Sequence, residues 1–309
     1  MKYAIISDVH GNIHAFEAVL ADAKANGADM YLLLGDYASS FPHGNAVIEV
    51  IRNLEPATVI RGNGEGYFIN LHNNPPPNFD DEQFKPVYWG YKNLTPENYE
   101  YVANLPETVT ITNGSINIHL NHAMSLFFRS PQIPLFYSSH FGAMMSTAPF
   151  THEEYLARAR DALLSCKEAV AEIRGMPEGI YLLGHNHLQF HMEFEGRTFI
   201  NPGSCGEPLN WDTRACYTML TINGPEWEIE EKRVKYNLDA VNEGLINSGY
   251  DAYTPAWSEV MRLELYSGND HWDSFVFHVS EARKKLGCTN TPVSKEDWDV
   301  IVSTWDKNK

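Results

Sequence analysis

The chain has 309 residues, 43% apolar and 20% charged, enough for one large domain or two modest ones whose core needs no disulfides. Its formal net charge of −17 argues against a general nucleic-acid binder, which would show a basic face. An anionic substrate would be repelled unless something local reverses the field, and bound cations would do so. The four cysteines, Cys166, Cys205, Cys216 and Cys288, form no C-x-x-C pair. A zinc ribbon or thioredoxin-like site is therefore not expected, and the thiols read as reduced, in a cytoplasmic protein. The first apolar run is too short for a signal peptide, and no run reaches the length of a membrane span.

Residues 3–7 form a short apolar run, read as a buried strand. Phe16, Val19, Leu20 and Ala23 then repeat at helical spacing, with Gly27 as a C-terminal cap. A second run, 31–34, ends in Gly35-Asp36. Val47, Val50, Ile51 and Leu54 give a second helix face, and a third strand, 58–60, ends in Arg61-Gly62-Asn63. This β-α-β-α-β order implies parallel strands with helical crossovers. Residues 71–87 carry three consecutive prolines among Asn and Asp, and read as one long surface loop. Thr95-Pro96 opens a helix that ends before Pro106.

Residues 109–112 and 115–120 flank Asn113-Gly114, a hairpin signal. One long helix is expected over 152–174, opened by a Thr151/Glu154 capping box. Its stripe is Leu156, Ala159, Leu163, Cys166, Val170 and Ile173. Short strands follow at 180–183, 190–194, 198–200 and 217–222. Residues 238–309 are aromatic-rich, with Trp257, Trp272, Trp298 and Trp305, and show no clear period.

The chemistry gathers where strands end. Asp8 and His10 follow the first strand, Asp36 the second and Asn63 the third. His122 follows the hairpin, and His185 and His187 follow the strand at 180–183. Ligands of α/β folds collect at the C-terminal ends of parallel strands. Two aspartates, an asparagine and four histidines make a mixed oxygen and nitrogen donor set. It suits Mn, Fe, Zn or Co better than Ca. Seven donors exceed one tetrahedral zinc and match two cations about 3.5–4 Å apart. Singly, each residue has a plainer reading: Asp8 as a helix cap, Asp36 as a turn residue, Asn63 as a left-handed position between glycines, and His185 and His187 on one face of a strand. Five separate elements supplying donors in order favour the metal reading. Ser204 is not a serine nucleophile, because Pro202 stands where Gly-x-Ser-x-Gly requires glycine.

Asp8-Val9-His10, Gly35-Asp36, Gly62-Asn63, His122 and Gly184-His185-Asn186-His187 resemble the ordered motifs of the calcineurin-like metallophosphoesterases. Residues 7–12, 201–204 and 214–217 are similar to its compact bacterial branch. The resemblance covers residues 1–236, leaving 237–309 as an extension that packs on the domain, caps its pocket or forms a homo-oligomer interface. It implies a four-layer α-β-β-α sandwich and two divalent metal ions, manganese first, with Fe, Zn, Co or Ni as alternatives. Asp8, His10 and His187 would hold one ion, Asn63, His122 and His185 the other, and Asp36 would bridge them. Asp36 and Asn63 would serve catalysis, as a metal-bridging hydroxide attacks phosphorus in line with the leaving group.

Gly64 stands where many members carry a histidine that protonates the leaving oxygen. His14, His119, His140 and His152 are the candidate replacements. Asn121 stands where the family usually has glycine, which would alter the loop. Asn12 either caps the first helix or touches substrate, and Arg61 either binds phosphate or pairs with an acidic neighbour. The expected function is hydrolysis of a small phosphodiester, with a nucleotide among the candidate substrates and no membrane or nucleic-acid partner. The alternatives are a phosphomonoesterase and a catalytically silent metal-binding module.

Overall fold

The computed structural model describes residues 1–123, 151–288 and 292–307. Residues 124–150, and the candidate His140 among them, lie outside the described residues.

Strands β1 (Lys2–Ile6), β2 (Met30–Leu33) and β3 (Ala57–Val59) pair in parallel. Two strands, β9 (Ala215–Asn223) and β10 (Glu226–Val234), extend the sheet antiparallel on the β1 side, in the order β10-β9-β1-β2-β3. The second sheet runs β4-β5-β6-β8-β7, from β4 (Thr108–Asn113), β5 (Ile116–Asn121), β6 (Gly179–Leu182), β7 (Gln189–Phe194) and β8 (Arg197–Pro202). Its centre, β5-β6-β8, is parallel, and antiparallel strands close both edges.

Period-two alternation explains why the central strands read as unbroken apolar runs. On β1, Tyr3 and Ile5 face the second sheet, where they meet Ile118, Leu120, Ile180 and Leu182. Ala4 and Ile6 face outward, onto helices α1 (Ile13–Ala25) and α2 (Gly44–Arg52) through Phe16, Val19 and Val47. On β6, Ile180 and Leu182 face inward while Tyr181 joins Leu163 and Ile173 of the outer helices. Both faces of the central strands are covered, so they need no polar side. The result is the expected four-layer α-β-β-α sandwich.

Two expectations need correction, and one strand was missed. The helix foreseen over 152–174 is two, α6 (His152–Ser165) and α7 (Lys167–Gly175), broken at Cys166, whose backbone is extended (φ −86°, ψ 101°). The break re-phases the stripe, so that Ala169 and Ile173 are buried. The Thr151/Glu154 capping box is present. Residues 71–87 are not one loop: α3 (Asn63–Asn73) runs into the segment and α4 (Lys85–Asn93) begins inside it, after a 3-10 turn, Glu82–Phe84. Pro86 sits in the first turn of α4, where a missing N–H breaks no bond. The two glycines and three asparagines of α3 hide its helical signal. Strand β10 escaped notice because it is a charged edge strand, a composition that blunts pairing with other chains.

Helix α5 (Pro96–Ala103) opens at Thr95 as expected. The C-terminal segment, without a readable period, forms α8 (Leu238–Asn247), α9 (Tyr250–Tyr253), α10 (Pro255–Ser267), α11 (Trp272–Leu286) and α12 (Lys295–Ser303). Trp257, Phe275, Trp298 and Trp305 build its core, which takes in Phe41 from the loop after β2. Among the described residues no helix is long and apolar enough to cross a membrane.

Candidate metal centre

Five of the seven expected donors sit on left-handed backbone: Asp8 (φ 54°), His10 (51°), Asp36 (57°), His185 (71°) and His187 (56°). Such angles cost a non-glycine residue on the order of 1 kcal/mol each, and survive only where the surroundings fix them. The first two loops are tied together by Asp8 N–H to Gly35 O (3.0 Å), His10 N–H to Asp36 O (2.9 Å) and Gly11 N–H to Tyr37 O (2.8 Å). Gly184 N–H donates to His122 O (2.9 Å), and Gly206 N–H to Asp8 O (3.0 Å). His185 and His187 therefore lie in a turn after β6 and not on one strand face. Asn63 takes no left-handed angle and begins α3.

Five chain segments thus converge. Asp8 Oδ1 lies 3.3 Å from His187 Nε2, 3.7 Å from His10 Nε2 and 3.9 Å from His122 Nε2. Asp36 Oδ2 lies 3.3 Å from His122 Nε2, and Asn63 Oδ1 3.1 Å from it. The His122 and His185 rings meet edge to face at 5.4 Å. Two donor groups result, Asp8–His10–His187 and Asp8–Asp36–His122, with their donor atoms within 4.8 Å of one another. Asp8 is common to both, and Asp36, the expected bridge, belongs to the second.

The outer ring nitrogens are anchored. His122 Nδ1 lies 2.9 Å from Leu34 O, His187 Nδ1 2.8 Å from Glu207 O, and His10 Nδ1 2.9 Å from Ser39 Oγ. A carbonyl can only accept, so His122 and His187 carry a proton on Nδ1 and turn Nε2 inward. His10 Nε2 and His187 Nε2 then face each other at 3.0 Å. Two lone pairs at that distance repel, so the pair needs a proton or a metal cation between them. The donor set fits a divalent transition metal.

Electrostatics without a cation tell the same story. Burial opposes charge on His122, yet Asp36 and Asp8 raise it to about 10. Burial likewise opposes charge on His187, and Asp8 raises it to about 9. Burial would raise Asp36, but His122 brings it to about 2. Burial, aided by His122, lowers His185 to about 4, which keeps it a neutral donor. Buried carboxylates here demand positive charge, and protons supply it when metal does not.

The cluster opens into a cavity of about 210 Å³ that His10, Asp36, Asn63, His185 and His187 border. Arg61 and Asn12 are not brought to it. Arg61 Nη2 pairs with Glu107 at 2.6 Å and Nη1 donates to Ala103 O. Asn12 caps α1 by accepting from Ala15 N–H, and donates to Gly206 O at 2.8 Å. His14, His119 and His152 do not border the cavity either. Asn121 ends β5 as an ordinary strand residue. Ser204 Oγ donates to the Asp8 carbonyl, a structural task.

Other residues of the site were not foreseen. Glu65, fully buried, accepts the backbone N–H groups of Asp36, Tyr37 and Gly62 at 2.8–2.9 Å and so locks two donor loops. Its place three residues after Gly62 was the available signal. Glu207, Asp270 and Trp272 border the cavity from distant segments with no motif to mark them.

A carboxylate–imidazole cluster at the parallel strand ends of two facing mixed sheets is the arrangement of a metal-dependent phosphoesterase. The chain belongs to the calcineurin-like phosphoesterase superfamily, whose domain matches residues 1–224. An uncharacterized protein of Methanocaldococcus jannaschii is 23% identical over 245 residues, covering 79% of this chain and 92% of its own. A metallophosphoesterase from Sphaerobacter thermophilus shares the fold with a TM-score of 0.60 at 23% identity, over 87% of this chain and all of its own. A hypothetical protein from Pyrococcus horikoshii aligns with a TM-score of 0.60 at 17% identity, over 87% of this chain and 99% of its own.

Proposed function

We propose that the chain hydrolyses a phosphodiester with two divalent cations, manganese first, held at the Asp8–Asp36 cluster. The observation that carries this reading is the pair of donor groups sharing the Asp8 carboxylate. Bound there, the cations would acidify a water and offset charge on the phosphoryl oxygens. The chain's own residues hold the geometry. Glu65 fixes the Asp36 turn, and the Leu34 and Glu207 carbonyls aim the His122 and His187 rings. Gly64 borders the cavity and offers no imidazole to the leaving oxygen, so esters with acidic leaving groups react best. Glu207 and Asp273 line the same wall beside Asp270, whose carboxyl burial and Asp273 push up to about 8, and no lysine or arginine does among the described residues. That wall favours a monoanionic diester over a dianionic monoester.

The test is hydrolysis of bis-p-nitrophenyl phosphate by metal-stripped protein as Mn²⁺ is added back. Activity should return with metal and fall at least about a hundredfold in Asp36→Asn. Hydrolysis of p-nitrophenyl phosphate alone would mark a phosphomonoesterase. Folded, metal-bound protein without either activity would mark a silent binding module.

A further inference from the structure

A second cavity, of about 490 Å³, adjoins the first, and Tyr67, Val87 and Trp272 border both. Phe84, Tyr88 and Trp257 complete most of its wall, and none of its lining residues is charged. It is made jointly by α3, the turn before α4, α4 itself, and α10 and α11 of the C-terminal segment. Resting on the phosphoesterase reading above, we infer that this slot is the subsite for a planar aromatic group, of nucleobase kind, carried by the phosphate ester.

Three observations carry the inference. Trp272 is held as a fixed platform: its ring lies against Trp257 with centroids 4.3 Å apart, and Trp257 Nε1 donates to Glu82 O at 2.8 Å. Tyr67 and Phe84 leave 53% and 44% of their surface to water, apolar area that a flat ring would cover. The charges are also divided. The donor-side cavity is walled by the carboxylates of Glu207 and Asp273, without a lysine or arginine among the described residues, while the slot beside it is neutral. A second phosphate would meet repulsion at that wall, whereas an uncharged ring would not. The site thus selects an ester with one phosphate and one aromatic ring over polyphosphates and nucleic-acid strands.

The test compares binding of adenosine 5′-monophosphate with that of methyl phosphate, which has no ring, to Mn²⁺-loaded full-length protein. Intrinsic tryptophan fluorescence and calorimetry give the readouts. The nucleotide should bind about tenfold tighter, the worth of one base stacked on an aromatic side chain, and should quench tryptophan emission. In Tyr67→Ala, at a half-exposed position, the ratio of the two affinities should fall to within about twofold. Trp272→Phe should retain most of the ratio, and Trp272→Ala should lose it if circular dichroism shows it folded. Equal affinities in the wild type, or a ratio unchanged in Tyr67→Ala, would overturn the subsite. Diester hydrolysis with equal affinities would leave the phosphoesterase reading standing and remove the slot. Ring-dependent binding without hydrolysis would do the reverse.

Discussion

Glu65 illustrates how a residue outside the donor set can decide the site. Its carboxylate satisfies three buried N–H groups, which Glu65→Ala would strand. At about 1–3 kcal/mol for each unsatisfied group, the variant should lose about 3 kcal/mol or more of stability. Urea unfolding measures this, and a loss below about 1 kcal/mol would show that the turn holds without it. The histidines give a pH dependence with a definite sign. His122 and His187 titrate at about 10 and 9 in the folded metal-free protein, above the ordinary 6.5. Their protons therefore favour the fold: the contribution is complete below pH 6.5 and is lost as pH rises through 9 to 10. Thermal melts of stripped protein across that range should show falling midpoints. Metal must displace the same protons, so Mn²⁺ affinity should rise with pH over that window, and calorimetry in buffers of different ionisation heat should report proton release. No buffer dependence would mean that the rings are already neutral.

At the scale of elements, the site is a meeting of loops, and the closeness of their approach can be tested. A Cβ on Gly184 would lie 2.0 Å from Ser7 Oγ and 2.6 Å from Asp8 Oδ2. Gly184→Ala should push the Asp8 carboxylate away from both donor groups and weaken Mn²⁺ binding about 10- to 100-fold, read by calorimetry. Unaltered affinity would show that Asp8 has room to move. The strand-end order of the donors was legible because buried parallel strands leave contiguous apolar runs, each followed at once by a loop. The left-handed turns were not legible: Asp8 and His185 adopt them because hydrogen bonds from other loops hold them there. Asn63, with glycine on either side, looked the better candidate for such an angle and starts a helix instead.

For the whole molecule, the net charge of −17 should matter over distance. At about 10 mM ionic strength the Debye length is about 30 Å, and at about 150 mM it is about 8 Å. Raising salt over that range should increase kcat/KM for bis-p-nitrophenyl phosphate about two- to fivefold by screening the repulsion of an anionic ester, with kcat little changed. A fall instead would mean that the cations in the cavity dominate the field at encounter. The C-terminal helices belong to this scale as well. They bury Phe41 in their own core and set Asp270 and Trp272 on the cavity wall, so the extension shapes the pocket of the domain it packs on.

The sequence by itself pointed to parallel strands with helical crossovers, through apolar runs short enough for buried strands and helical stripes between them, while the resemblance to the calcineurin-like family implied the sandwich; it also marked the candidate donors, because each stands in a loop that follows such a run. It also carried the hairpin at Asn113-Gly114 and the caps at Thr95 and Thr151, where a few neighbouring residues suffice. Tertiary structure alone decided which side chains are spent elsewhere and which complete the cavity. Arg61 finds Glu107, Asn12 finds Gly206, and Glu207, Asp270 and Trp272 reach the cavity from far along the chain. Such partners are chosen by the closing of loops and the packing of helices, over separations at which neither periodicity nor spacing carries information.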